Sequence, residues 1–396
     1  MSLQSKRTQL EETMKNLHQA LRSVSALALG AAALSAPAFA QSGSDLGLAD
    51  SEYTYEALVE AARKEGPITV IDATGQIVSM AEAFTAKYGI EAVGVRMAAQ
   101  EQEQILTREA SANNVQTDVF NMSNMPAVVS QLLPQGIVVS WFPPDLADVV
   151  PEEYQSPALT SHNPWIWVYN PDIHPDGCPI DNVWAMTEPD WKSRIALPDP
   201  LLRNETLFWF NQMETNSDEA MAAAYEAHFG EPIATDQPSA TAEWVKRLAG
   251  NNPNIARGDS AVGPIVGAAT EAEPYVGFLS SAIFRHAERD GYRLAICDGL
   301  QPFAGQLAPR VAVIAAGTKH PNAAKLFARF MMTEEGMRPQ LEDGKISTNS
   351  SVEMPAMERS GVINLVNQLH VADAATAEQD FAKLQDWQDF WIISSR

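Results

Sequence analysis

The sequence predicts an α/β protein in two compact parts, and three observations carry that prediction. Short apolar strand-like runs alternate with amphipathic helical segments, the pattern of βαβ units on a mainly parallel sheet. The chain has 396 residues, more than a single hydrophobic core usually organises. Its apolar fraction of 45% is that of an ordinary globular protein, which excludes a disordered composition.

Each element follows from local chemistry. Tyr55–Lys64 carries the apolar spacing of an amphipathic helix and stops at Gly66-Pro67. Ile68–Ile71 reads as a buried strand, and Ala73-Thr74-Gly75-Gln76 as the turn after it. A helix at Val78–Tyr88 closes on Gly89. Strand Ala92–Met97, helix Glu101–Ala112, strand Asp118–Asn121 and helix Pro126–Leu133 continue the alternation. Trp141–Pro144 is a turn, Trp165–Tyr169 a strand and Pro171–Pro179 a loop. Residues 181–250 read as mostly helical around a short strand, Ile195–Leu197. Strands Tyr275–Leu279 and Arg293–Ile296 flank a helix at Ser281–Arg289. Val311–Ala315 is a further strand, Pro321–Met332 a helix with proline in its first turn, and the tail from Glu353 is expected to be helical.

The first forty residues read as an address. Lys15 and Arg22 precede the apolar run Val24–Leu34, and Ala38-Phe39-Ala40 is a small-x-small cleavage site, as in a secretory signal peptide. The run is too short to span a bilayer. Met14 is the expected start, cleavage is expected after Ala40, and residues 41–50 are expected to be a mobile linker. The protein should therefore reside in the periplasm of a Gram-negative bacterium. Cys178 and Cys297 then sit in an oxidising compartment, where a disulfide is one of two open readings, because spacing does not say whether the side chains meet.

Charge narrows the partners. Lys and Arg number 27 against 50 Asp and Glu, a net charge of −23. Nucleic acid is excluded as a partner, and anionic membrane surfaces are disfavoured. The seven histidines never stand at i,i+2 or i,i+4, which argues against a local zinc motif. No GxGxxG, GxxxxGK[ST] or GxSxG occurs in the expected setting. No metal or cofactor is expected, and no enzyme chemistry is nominated.

The stretches YEALVEAARKEGPITVIDATG, AFTAKYGI, TDVF, Trp191–Pro200 and Ala316–Gly336 occur in consistent order between Tyr55 and Ser350. In this the chain resembles the extracellular solute-binding proteins of bacterial ABC importers, specifically the type II group that includes ferric-iron binders. The resemblance implies a two-lobed type II periplasmic-binding-protein fold, its lobes joined by crossing strands with a ligand cleft between them. It places residues 51–164 with 305–350 in lobe one, and 165–304 with 351–396 in lobe two. It implies a monomer that closes by hinge motion on a small-molecule ligand and meets the membrane subunits of an ABC permease.

Iron-binding members of that family use a consecutive tyrosine pair, with a histidine and a glutamate. Aligned without a gap through Pro274–Gly291, the tyrosine positions fall at Ser281 and Ala282. The carboxylate position falls at Ser123, and the histidine position near Gln76. None of the four is retained, so iron(III) through this site is disfavoured.

Neutral donors at strand-to-helix turns suit an anion instead. Thr74, Gly75 and Gln76 form one such turn, against the alternative of a plain helix cap. Ser123 and Asn124 open the next helix. Arg203, Asn204 and Thr206 begin a helix of the second lobe, and Arg203 offers a bidentate fork to phosphate or carboxylate. Asp259 and Ser260 precede the helix at Pro264, and Ser280 and Ser281 stand at the strand end where metal-binding relatives place ligands. Asn163 and Trp165 lie at the start of the crossing strand, Trp165 as a candidate wall of the cleft.

The expected function is capture of a small polar solute, preferably an organic anion such as a phosphorylated or carboxylated metabolite. A cation of polyamine or thiamine type, a secreted enzyme on the same fold, and a sensor subunit remain as alternatives.

Overall fold

A computed structural model describes residues 46–270, 274–356 and 358–396. The leader through Ala40 lies outside the described residues. Residues 46–50, expected to belong to a mobile linker, instead pack down. Leu46 is buried, the Leu48 amide donates to Asn322 Oδ1, and Lys325 Nζ donates to the Leu48 carbonyl. Two leucines two residues apart give this segment an apolar side to bury.

The helices are α1 (Tyr55–Ala62), α2 (Ile77–Tyr88), α3 (Ala99–Ser111) and the single turn α4 (Met125–Ala127), which runs into a π-helical turn at Val128–Leu132. They continue with α5 (Asn204–Asn216), α6 (Asp218–Phe229), α7 (Ala240–Gly250), α8 (Asp259–Gly267) and α9 (Phe284–Asp290). The last are α10 (Pro321–Phe330), α11 (Glu334–Leu341) and α12 (Ala377–Ser394). The strands are β1 (Ile68–Asp72), β2 (Ala92–Arg96), β3 (Val119–Met122), β4 (Val138–Val139), β5 (Leu159–Tyr169) and β6 (Ile195–Pro198). After them come β7 (Asn254–Ala256), β8 (Val276–Ser280), β9 (Ala295–Ile296), β10 (Gly305–Ala315), β11 (Ile346–Ser347) and β12 (Leu369–Val371).

The strands run in the order β2-β1-β3-β10-β5-β8-β6-β7, with β4 and β12 on β10, and β9 and β11 on β5. The pairs β1–β2, β1–β3, β6–β7 and β6–β8 are parallel, as the βαβ reading requires. The long strands β5 and β10 pair antiparallel and join the two halves. In the first half, α1, α2 and α10 bury Leu58, Phe84, Phe327 and Phe330 on one sheet face. Leu106, Met125 and Val128 cover the other. The second half is built round Trp167, Trp184, Trp244 and Phe278. Helix α5 is buried on all sides from Thr206 to Met213, which is why it shows little amphipathic pattern.

Both crossing strands are longer than expected, and proline is the reason. Pro164 and Pro309 lie inside β5 and β10, yet pair with Leu307 and His162. A proline within a run ordinarily demotes a strand. Polar Thr160, Ser161 and His162 are nonetheless buried here: Thr160 Oγ1 donates to Asn121 Oδ1 and the Arg310 carbonyl, while Ser161 Oγ and His162 Nε2 have no hydrogen-bond partner among the described residues.

The tail departs further from expectation. It is irregular to Gly361, then a 3₁₀ segment (Val362–Gln368), then β12, and only from Ala377 an α-helix. The Glu358 carboxylate accepts the amides of Ser360 and Gly361, each at 2.7 Å, a local turn that competes with helix. The strand expected at Arg293–Ile296 shrinks to Ala295–Ile296. Cys178 and Cys297 form a disulfide. Among the described residues no helix is long and apolar enough to cross a membrane.

Candidate functional site

Two polar centres lie where the halves meet. The first is a cavity of about 210 Å³. Ala98, Ala99 and Asn124 line it from the first half, and Arg203, Asn204 and Arg257 from the second. It opens beyond the carboxyl ends of β2, β3, β6 and β7, the usual ligand position for parallel sheets.

The local sequence builds it. Ala98 and Ala99 begin α3 with no side-chain cap over its first amides, while Glu101 accepts the Ala98 amide at 3.2 Å. Asp199-Pro200 makes the turn into α5: the Leu201 amide donates to Asp199 Oδ1 at 2.9 Å, and the Arg203 amide to the Asp199 carbonyl at 2.9 Å. Two uncapped helix N-termini thus face one space, an arrangement that favours negative charge. Arg203 lies against Gly258, where an added Cβ would come within 3.3 Å of its Nη2. Neither the Arg203 nor the Arg257 guanidinium has a carboxylate or hydrogen-bond partner among the described residues.

Acidic groups share the rim. Asn124 caps α4 through Oδ1 and donates from Nδ2 to Glu103. Burial pushes the Glu103 carboxyl up, the Asn124 amide opposes this, and the Glu205 charge adds to it. Ser123 Oγ, from the first half, donates to Glu205 Oε1, from the second, at 3.0 Å.

The second centre is a paired network nearer the crossing strands. Arg310 and Asp72 form an ion pair that is almost fully buried. Asn121 Nδ2 and Gln340 Nε2 donate to Asp72 Oδ2 at 2.7 and 3.0 Å. Asp343 pairs with Arg285 and accepts from Gln76 Nε2 at 2.8 Å, and its carbonyl accepts from Ser281 Oγ at 2.9 Å. Ser280 Oγ and Lys345 Nζ both donate to Asn163 Oδ1. Burial, with Arg310 nearby, lowers the Lys345 ammonium to about 8, against the pull of Asp343, Asp72 and Asp259. Gly344 has φ +79°, and a Cβ there would stand 2.9 Å from Ser281, so glycine is required between these two charged residues.

The candidates therefore divide. Asn124, Arg203 and Asn204 line the cavity, and Ser123 borders it through Glu205. Gln76, Asn163, Ser280 and Ser281 belong to the network, with Thr74 and Gly75 on the turn leading to Gln76. A Cβ on Gly75 would meet only Arg96 Cδ, at 4.0 Å, so packing does not demand glycine there. Asp259 acts on Lys345 at a distance, and Ser260 is exposed, its amide bonded to Asp259 Oδ1.

Two residues are corrected. Trp165 is not a wall of the cavity: it is buried, its ring 5.8 Å from that of Phe278, because it packs on the aromatic core while Asn163 and Ser280 on the same face join the network. Thr206 is buried within the first turn of α5 and does not line the cavity.

Sequence reading missed Ala98, Ala99, Arg257, Asp343 and Lys345. The run Glu342-Asp343-Gly344-Lys345, charges around a glycine after a helix, was the available signal. Among the described residues no group of three or more His, Cys, Asp or Glu converges as a metal site.

Comparison with known proteins agrees with this fold. Residues 68–344 match the family model for bacterial extracellular solute-binding proteins, and the chain belongs to that family. No protein of curated function matches it. Among solved structures, iron-bound HitA from Pseudomonas aeruginosa is 15% identical with a TM-score of 0.61, covering 84% of this chain and 100% of its own. AfuA from Actinobacillus pleuropneumoniae, a periplasmic binding protein with fructose-6-phosphate bound, is 17% identical with a TM-score of 0.62 (coverage 83% and 99%). The substrate binding protein of an ABC transporter from Agrobacterium tumefaciens is 13% identical with a TM-score of 0.62 (coverage 86% and 97%). At these identities the likeness establishes the two-lobed fold.

Proposed function

We propose that this extracellular solute-binding protein is the periplasmic receptor of an ABC importer, and that it captures a small organic anion between its lobes. One observation carries the ligand class: two guanidinium groups without partners among the described residues, Arg203 and Arg257, line a cavity that two helix N-termini without a side-chain cap also face. Arginine pairs bidentately with phosphate or carboxylate, and the remaining amides at the helix starts add donors. Contacts from both halves to one ligand favour the closed arrangement over the open one. The permease then receives the closed, loaded form. Among the fold's relatives, one has a sugar phosphate bound and another iron, so the fold alone does not choose a ligand.

A second reading has one observation behind it. Glu205 also lines the cavity, and a carboxylate there suits a cation. Its Oε1 is already bonded by Ser123, and two unpaired guanidinium groups outweigh it in charge.

Calorimetric titration of refolded, ligand-free protein separates the two. Phosphorylated and carboxylated metabolites should release heat and saturate, while polyamines and thiamine should not. Binding of cations alone would overturn the anion reading.

A further inference from the structure

A smaller cavity of about 30 Å³ lies beside the first, and Glu205 and Phe208 line both. It has room for about one or two water-sized groups. Its polar lining is Ser123, Glu205, Trp209, Gln212, Gln306 and Asp380, all buried except the half-buried Glu205. Asp380 stands on α12, beyond residue 344 where the family match ends, so this chamber is completed by a part of the chain the family pattern does not cover.

Two of these groups are incompletely used. Asp380 is 2% exposed and accepts from Asn211 Nδ2 at 2.7 Å and Gln212 Nε2 at 2.6 Å, which leaves further acceptor capacity on each oxygen. Burial pushes its carboxyl up to about 6, against those two amides. The Trp209 ring stacks on Phe278 with centroids 4.7 Å apart, and its indole N–H is buried with no acceptor among the described residues. An unpartnered donor and an acceptor with spare capacity, on two residues that line one chamber, suit a group that both donates and accepts, and a hydroxyl is the smallest such group an organic ligand carries. A second carboxylate would be repelled by Asp380, and an ammonium would leave the indole unpaired.

We propose that this inner chamber is a subsite for one hydroxyl of the ligand, donating to Asp380 and accepting from Trp209, so that the receptor selects hydroxylated anions over simple ones. The assignment rests on the anion reading of the outer cavity.

The test is calorimetry on the full mature chain with inorganic phosphate and with fructose 6-phosphate. Wild type should bind fructose 6-phosphate at least about tenfold more tightly, the worth of a hydrogen bond that buried groups would otherwise lack. Trp209→Phe keeps the stacking but loses the donor, and Asp380→Asn keeps the shape; each should cut that affinity ratio by about tenfold. An unchanged ratio in both variants would mean that the chamber holds water only. Equal weakening of both probes would reduce Asp380 and Trp209 to structural roles. Phosphate bound by wild type without preference for the sugar overturns the subsite alone. If neither probe binds wild type, the anion reading falls, and the subsite with it.

Discussion

The outer cavity and the inner network are both polar, both lie where the halves meet, and they treat charge in opposite ways. In the network Arg310, Asp72, Asp343 and Arg285 each have an ionic partner inside the protein. In the cavity Arg203 and Arg257 have none among the described residues. A buried pair fixes geometry, because removing either partner strands the other in a poorly solvated place. An unpaired cation beside solvent costs little to keep and remains available to a ligand. In the proposed receptor, the contrast separates residues that fix the junction of the halves from residues left open to a solute.

The largest expected effect comes from breaking the network. Arg310→Met leaves Asp72 buried without its counter-ion and should cost about 3–5 kcal/mol of stability, read as a fall in the urea midpoint with little change in slope. A loss under about 1 kcal/mol would erase the distinction between the two centres. Arg203→Ala should do the reverse. Its stability change should stay within about 0.5 kcal/mol, while affinity for a phosphorylated ligand should fall about 10- to 100-fold through loss of a charged hydrogen bond; titration of both proteins with the same ligand measures it. The smallest effects compare two glycines. Gly344→Ala places a Cβ against Ser281 at φ +79° and should destabilise by about 1–2 kcal/mol. Gly75→Ala meets open space and should change stability by less than about 0.5 kcal/mol in the same denaturation experiment. Equal costs at the two positions would contradict the division.

Much of the fold was legible in the sequence. The first three strands and first three helices of the alternation occur within a few residues of their expected places, because Ile68–Ile71 and Val78–Tyr88 carry their periods locally. The polar crossing strands, interrupted by Pro164 and Pro309, were only half visible, since their burial is made possible by partners far along the chain. The site was legible as a set of turns. Asn124, Arg203 and Asn204 were found because helix starts carry recognisable residues, whereas Trp165 was misplaced because alternation along a strand does not say which face is the interior.

Acidity shows the same boundary. The net charge of −23 describes the whole chain, yet two arginines without carboxylate partners among the described residues line the cavity between its halves. Sequence alone determined the α/β class, the family and the absence of local metal and nucleotide motifs, since each is written in neighbouring residues. Only tertiary structure brought Arg203 beside Arg257, Asp343 to Gln76 and Arg285, and Asp380 to Trp209. Those meetings depend on the register of β5 against β10 and on where α12 packs, and no local pattern encodes either.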